Sequence, residues 1–356
     1  MFNDRIKLQL DGNKMLGHLD EVDKWIANEE FHPIYLAFSP SSLCNHSCNF
    51  CVYHYKEFAP IYFPLQRFTE LTKEWKSLGV KSIFFAGDGE PLLNKDCPQM
   101  IENTKSAGLS AALNTNGRLM APKTNTILVQ SLEWIRISLN AGTKESYAKI
   151  HGTTEKDFDI VLSNIKDLVE QKKKYQSDIT IGVQCVLLEE NIHEVEILAK
   201  TVKSLGVDYL AIKPFLQHPG IKFTNSIDNL AEKLKDLNKL TSLNTDEFKF
   251  NLRENLFFKD TKRTYCKCLS APFMIEVDAK GDVYNCGPHL GDKDHCFGNI
   301  LNQSFKELWA SEQKKKVQYF IENEVDVNKC MPFCRPDSVN KFLWEIKNPP
   351  LHTNFI

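Results

Sequence analysis

The sequence predicts an α/β fold, a partial (β/α)6 TIM-like barrel followed by a small α+β unit, and three observations carry the prediction. Short apolar runs rich in β-branched and aromatic residues alternate with stretches of helical period from residue 34 to about 216. Those runs number six, too few for a closed eight-stranded barrel. After Cys266 the composition shifts to Cys, Gly, Asp and Pro. Helical crossovers between parallel strands place helices outside a sheet, and a flat doubly wound sheet would read the same way. In either arrangement the loops that follow the strands form the rim where ligands bind.

Taken in order, residues 1–33 are an N-terminal extension and 34–224 the barrel. Its strands are expected at Tyr35–Phe38, Ser82–Ala86, Leu109–Leu113, Trp134–Leu139, Ile179–Leu187 and Val207–Ile212. Helical period runs between them over Leu65–Leu78, Asp96–Ala107, Phe158–Lys173 and Ile192–Leu205, and the Leu-Gly pairs at 78/79 and 205/206 read as helix stops. Residues 225–262 read as a connecting helix and linker, and 263–356 as the small unit with a C-terminal tail. A hairpin is expected at Ala279-Lys-Gly-Asp282, and the tail, ending in Phe355-Ile356, is expected to dock. The Lys172–Lys174 and Lys314–Lys316 runs read as solvated helix faces.

A formal charge of -2 gives no sign of a nucleic-acid or acidic-membrane partner, and 42% hydrophobic with 25% charged residues excludes extensive disorder. No apolar run approaches the roughly 18 residues of a membrane span. The opening Met1–Lys7 also lacks the apolar stretch of a signal peptide, so a reducing cytoplasm is expected. In that compartment eleven cysteines, clustered near Cys44 and after Cys266, read as metal or redox chemistry before disulfides.

Cys44, Cys48 and Cys51 lie in one loop directly after the first strand. Three thiolates leave a tetrahedral structural zinc one ligand short, and His46 or His54 would be the fourth. An iron–sulfur cube suits the same loop, with one iron left for an exchangeable ligand.

The C-x3-C-x2-C loop, with Phe50 just before its last Cys, resembles the radical S-adenosylmethionine (radical SAM) superfamily. Gly87-Asp88-Gly89-Glu90-Pro91 after the second strand is similar to the family's Gly-Gly-Glu-Pro motif, which contacts the methionine amino group of SAM. Asn114 and Asn116 after strand three, and Ser138 and Asn140 at the end of strand four, likewise resemble SAM-contacting positions. The resemblance covers roughly residues 34–216. It implies a 4Fe-4S cluster that delivers an electron to SAM, homolysis to a 5'-deoxyadenosyl radical, and a reductant such as flavodoxin or ferredoxin. Glu90 is then the acceptor for the methionine ammonium.

Downstream, Cys268 and Cys286 flank the expected hairpin, with Gly281 four residues before the second, and Cys330-Met-Pro-Phe-Cys334 supplies two more thiols. Four thiolates close one site, a common zinc set as well. The region resembles the auxiliary-cluster domain called SPASM, or its shortened form, twitch. Phe297–Ile300 and Ser304–Trp309 are similar to the segment between its ligand groups. The resemblance implies one auxiliary 4Fe-4S cluster on Cys268, Cys286, Cys330 and Cys334. Cys266 is unassigned, and Cys296 would serve a second cluster if there is one.

The expected activity is a radical SAM oxidoreductase that dehydrogenates an alcohol carbon of a sugar or aminocyclitol-type small molecule. The 33 residues before the first strand are too few for the leader-binding domain of many peptide-modifying relatives, which tilts the reading away from peptide cross-linking or epimerisation. A zinc-binding interaction protein is the rival from another class. Candidate substrate residues are Lys213, Gln217 and His218 after the sixth strand and Tyr53 and His54 after the Cys loop, and Cys185 is a candidate hydrogen donor.

Overall fold

The computed structural model describes residues 12–53, 59–218, 220–258 and 262–355. Seven parallel strands follow one another in chain order: β1 Tyr35–Phe38, β2 Ser82–Phe85, β3 Ser110–Thr115, β4 Trp134–Ser138, β5 Thr180–Leu187, β6 Tyr209–Pro214 and β7 Lys249–Leu252. On the far side of β1 lie β8 Met274–Val277, β9 Asp282–Tyr284 and β10 Cys296–Asn299. The helices are α1 Leu19–Ile26, α2 Leu65–Ser77, α3 Cys97–Ser106, α4 Pro122–Ser131, α5 Lys144–His151, α6 Glu155–Lys174, α7 Val195–Leu205, α8 Leu230–Asn238, α9 Asn255–Phe258, α10 Phe305–Ala310, α11 Glu312–Asn323 and α12 Asp337–Lys347. This is the partial barrel expected, with its six strands within two residues of their predicted ends.

Strand alternation sorts the side chains onto two faces. Leu36, Phe38, Ile83, Phe85, Leu113, Ile135, Ile137, Ile181, Val183, Leu210 and Ile212 join the helices in the main core. Helix α2 shows why the helices settle there: Phe68, Leu71, Thr72 and Trp75, spaced three, four and seven residues from the first, form one buried stripe. The alternate residues face the concave side, where Ala37, Phe84 and Ala112 form a separate small cluster with Tyr35 and Trp134 packed on it.

Several expectations need correction. Residues 225–262 contain β7, which pairs with β6 from Tyr209↔Lys249 to Ile212↔Leu252, so this stretch also extends the sheet. The expected hairpin exists as β8 and β9, but β8 pairs in parallel with β1, and the C-terminal region continues the barrel's own sheet. Helices α4 and α5 fall where no helix was read. The tail does not dock: Leu351 is 90% and Phe355 85% exposed. Lys314 is not a solvated lysine, because its ammonium lies 4.3 Å from the centre of the Trp309 ring. The N-terminal extension packs Met15, Val22 and Trp25 with Leu343 of α12 and Phe273.

Candidate functional site

The loops after β1, β2, β3 and β4 meet at the rim. The loop after β1 carries Cys44, Cys48 and Cys51, and a Cys51 N–H to Cys48 carbonyl bond of 3.0 Å turns it. The end of α5 supports it: Ser47 N–H donates to the His151 carbonyl at 3.0 Å and Asn49 N–H to that of Ile150 at 3.1 Å. From β2, Glu90 N–H donates to the Leu43 carbonyl at 2.7 Å. A Cβ on Gly89 would stand 2.4 Å from the Leu43 and Ser41 carbonyl oxygens, so only glycine allows this approach. Gly87 holds φ +125°, whereas Asp88 is not among the positive-φ residues, which is why an aspartate is tolerated at the second motif position.

Glu90 is buried, and its carboxylate is engaged by the protein. It accepts from Leu92 N–H at 3.1 Å, Thr115 Oγ1 at 2.6 Å and Asn116 N–H at 2.8 Å. Burial pushes its carboxyl above the usual range against the pull of those bonds. Asn116 Nδ2 donates to Asn45 Oδ1 at 2.8 Å and lies 3.9 Å from Cys44 Sγ. Asn114 Oδ1 is buried and accepts no hydrogen bond among the described residues. Ser138, half-buried, ends β4. Asn140 is internal to the protein: its Oδ1 accepts from Val186 N–H at 2.7 Å, and its own N–H donates to His151 Nε2 at 3.1 Å. His151 Nδ1 then lies 3.4 Å from Cys48 Sγ. Because Nε2 accepts from a backbone N–H, the proton of the neutral ring is on Nδ1, aimed at the sulfur.

The second set of thiols gathers beyond the other edge. Cys268 precedes β8, Cys286 follows β9, and Cys330 and Cys334 precede α12; Cys286 feels the charges of all three others. Arg263, which sequence reasoning missed, lies among them, its side chain 5% exposed. It donates to the Met331 carbonyl at 2.9 Å, to Cys334 Sγ at 3.6 Å and to Asp337 Oδ1 at 3.4 Å. Asn340 was missed too. Its Oδ1 accepts from Leu269 and Ser270 N–H at 2.7 and 2.8 Å, which turns Nδ2 toward Cys268 Sγ at 3.5 Å.

Spacing bears on zinc at both thiol sets. Zn–S bonds of about 2.3 Å in a tetrahedron place sulfurs roughly 3.8 Å apart. Among the described residues, three ligand atoms come within 4.8 Å of one another only in His46–Cys48–His151 and His289–Asp292–His295. Among the described residues the three rim thiols, and likewise the four beyond, are not drawn together as closely as a zinc tetrahedron of thiolates requires. The His289 and His295 rings stack at 3.6 Å with planes 15° apart, so one ion cannot lie in both ring planes. Burial pushes Cys44 and Cys330 up to about 11, so assembly of a cluster there releases protons.

The remaining candidates separate. Cys185 is packed in the core, receives Asn191 Nδ2 at 3.6 Å, and is pushed by burial to about 12. His218 Nδ1 accepts from Gly220 N–H at 2.9 Å, leaving Nε2–H to donate to the Pro288 carbonyl at 3.2 Å, a strap onto the C-terminal region. Gln217 donates to the Ile221 carbonyl at 3.0 Å. Tyr53 N–H bonds the Cys51 thiol, and His54 lies outside the described residues. Cys296, on β10, has Asp282 and Asp278 as its leading charged neighbours, and Cys266 is exposed. Lys213, on the concave face, is lowered by burial and by neighbouring arginines to about 7.

An open barrel with three thiols after its first strand and four more in the region of an appended hairpin has the layout of a metal- or cluster-binding protein whose ligands sit on loops. The family model described as "Radical SAM superfamily" matches residues 38–202, and that described as "Iron-sulfur cluster-binding domain" (SPASM) matches residues 266–336. The chain belongs to the radical SAM superfamily and carries a SPASM domain, with 4Fe-4S clusters and SAM as cofactors. It is 23% identical over 304 residues to a GTP 3',8-cyclase of Aquifex aeolicus, covering 79% of this chain and 90% of the relative. It is 22% identical over 327 residues to the cofactor-modifying protein of a tungsten-containing aldehyde ferredoxin oxidoreductase of Pyrococcus furiosus, covering 81% and 84%. Among solved structures, Streptococcus suis SuiB bound to S-adenosylmethionine aligns with TM-score 0.66 at 15% identity, over 89% of this chain and 75% of that one. The protein anSMEcpe with bound AdoMet aligns with TM-score 0.58 at 20% identity, over 89% and 98%. At these identities the structural likeness carries the fold.

Proposed function

We propose that this radical SAM enzyme oxidises a small molecule by abstracting hydrogen from one of its carbons inside the barrel. The observation that carries the reading is the convergence of four strand-end loops on Cys44 and Cys48, through Glu90 to Leu43, Asn116 to Cys44, and Asn140 through His151 to Cys48. In this reading Cys44, Cys48 and Cys51 hold the rim cluster. SAM lies along Gly87–Pro91, with the unpartnered Asn114 Oδ1, Asn116 and Ser138 as further polar contacts. The rim cluster, when bound, supplies the electron that cleaves SAM to a 5'-deoxyadenosyl radical. Asn140 positions His151, and Glu90 ties the loops after β2 and β3 together, so the ammonium of SAM meets the motif's backbone. Cys268, Cys286, Cys330 and Cys334 hold one auxiliary cluster, a destination for the second electron of an oxidation. A small electron-transfer protein of the flavodoxin or ferredoxin kind is the reductant. Among the described residues no helix is long and apolar enough to cross a membrane.

Anaerobic reconstitution tests this. The protein is expected to hold about eight irons if each site builds a four-iron cube. Replacing Cys44, Cys48 and Cys51 by Ala is expected to remove about half of them and all SAM cleavage. Zinc without labile sulfide would end the radical reading.

A further inference from the structure

We propose, resting on the reading that a substrate is attacked inside the barrel, that this substrate is a phosphorylated small molecule whose phosphoryl groups are held by Arg136, Lys213, Arg253 and Arg335 on the concave face of the sheet. Arg136 on β4 pairs in register with Gly182 on β5, which pairs with Tyr209 on β6. A Cβ on Gly182 would stand 2.0 Å from Tyr209 Cζ, so the phenol lies flat across β5 only because residue 182 is glycine. Its hydroxyl accepts from Arg136 Nε at 3.2 Å, and the Arg136 guanidinium sits 5.0 Å from the Trp134 ring centre. Trp134 packs on Phe84 at 5.2 Å, and Phe84 on Tyr35 at 6.5 Å. Arg335 lies 4.6 Å from the Phe84 ring centre and donates to Tyr35 Oη. One unbroken series of contacts thus fixes two guanidinium planes across the lumen.

Lys213 shares the Tyr209 face of β6, and Arg253 directly follows β7. The leading charged neighbours of Lys213 are Arg136, Arg253 and Arg335, all cations. One carboxylate, Glu276 on β8, stands with Arg335 and Arg136 among the charged neighbours of Tyr35, so the cations outnumber it on this face. Like charges held together on a half-buried face repel one another, and a bound anion offsets that repulsion. A phosphoryl group carries about two negative charges at pH 7 and takes bidentate bonds from a fixed guanidinium. An aminocyclitol is itself a cation and is repelled, and a neutral sugar gains nothing from these groups.

The experiment is calorimetric titration of the anaerobically reconstituted, SAM-loaded full chain with inorganic pyrophosphate, citrate and glucose. Pyrophosphate is expected to bind saturably and more weakly as salt rises, with citrate weaker and glucose silent. Lys213→Gln and Arg136→Gln are each expected to lower pyrophosphate affinity about tenfold at wild-type iron content, and Lys213→Arg to restore it to within about threefold. No saturable pyrophosphate binding by wild type, citrate binding the tighter of the two, or unchanged affinity in both Gln variants overturns the proposal. Failure of the radical reading would appear separately, as missing iron or absent SAM cleavage in the wild type.

Discussion

Replacing Glu90 by alanine is expected to destabilise the protein, because the structure uses this carboxylate as a tie between two loops. Three donors lose their acceptor: Leu92 N–H, Thr115 Oγ1 and Asn116 N–H. A buried donor left unpaired costs about 1–3 kcal/mol. Water admitted to the space relieves part of this, so the sum is set near its lower end, roughly 3–5 kcal/mol. For 356 residues unfolding as one unit, an entropy of about 2.1 cal/mol/K per residue converts that loss into a fall in Tm of roughly 4–7 °C. Glu90→Gln keeps one acceptor oxygen and turns an NH2 toward a single N–H, so its fall is expected to be less than half as large. The assay is anaerobic differential scanning calorimetry at one scan rate, with SAM affinity measured on the same samples. An alanine variant melting within 1 °C of wild type yet no longer binding SAM would refute the reasoning, because the carboxylate would then belong to the ligand rather than to the loops.

Three further outcomes are expected. Cys334→Ala, soluble and shown spectroscopically to lack the auxiliary cluster, should still make 5'-deoxyadenosine but form less oxidised product per 5'-deoxyadenosine; a ratio equal to wild type rejects the electron-acceptor role. Arg263→Met should lower the midpoint potential of the auxiliary cluster in an EPR-monitored titration while the rim cluster keeps its own, and an unchanged auxiliary potential removes Arg263 from that role. Buried His295 titrates at about 4 rather than 6.5, so its neutral form stabilises the fold above pH 6.5 and that contribution is lost as the pH falls toward 4. At about 1.4 kcal/mol per unit this amounts to roughly 2 kcal/mol between pH 6.5 and 5, and His295→Asn should flatten the dependence of Tm on pH over that window.

The strands and thiols were legible because each is a local pattern. Ser82–Phe85 is a continuous apolar run, and Cys44, Cys48 and Cys51 fall within eight residues. Strand β7 was not legible, since Lys249-Phe-Asn-Leu252 buries only Phe250 and earns its place by pairing with β6. Nor was the junction of β8 with β1, a contact between residues 274–277 and 35–38 that no local period encodes. Arg263, Asn340 and His151 were missed for a related reason. Each is a single residue of a common type whose role comes from what the fold sets opposite it, and only the long sequence gap between donor and thiol is visible beforehand. Glu90 is legible by its motif, but its ties to Thr115 and Asn116 are not, because they depend on β2 and β3 lying side by side.

The two thiol sets differ in the charge the fold puts beside them, and the difference has a direction. At the rim, Glu90 is the leading charged neighbour of Cys44 and Asp88 that of Cys51, while the donors to sulfur are all neutral: His46 N–H at 3.5 Å and the more distant Asn116 amide on Cys44, the His151 imidazole on Cys48 and Tyr53 N–H on Cys51. Beyond the other edge, Arg263 is the leading charged neighbour of both Cys330 and Cys334 and donates to the Cys334 sulfur. Net charge and hydrogen bonds to sulfur are among the factors that set a cluster's potential; carboxylates disfavour added electron density and a guanidinium favours it. On the function proposed above, Arg263 favours a higher potential at the auxiliary site than the carboxylates favour at the rim, even with Glu276, Asp326 and Asp337 beside the auxiliary thiols, and that order suits a donor to SAM at the rim and an acceptor beyond it. Because β8 pairs with β1 through Tyr35↔Met274 to Phe38↔Val277, both sites hang from adjacent strands of one sheet. The concave face of that sheet carries Tyr35, Arg335 and Arg136, and Arg335 directly follows Cys334, so a substrate held by those cations, as proposed above, would lie beside the auxiliary thiols.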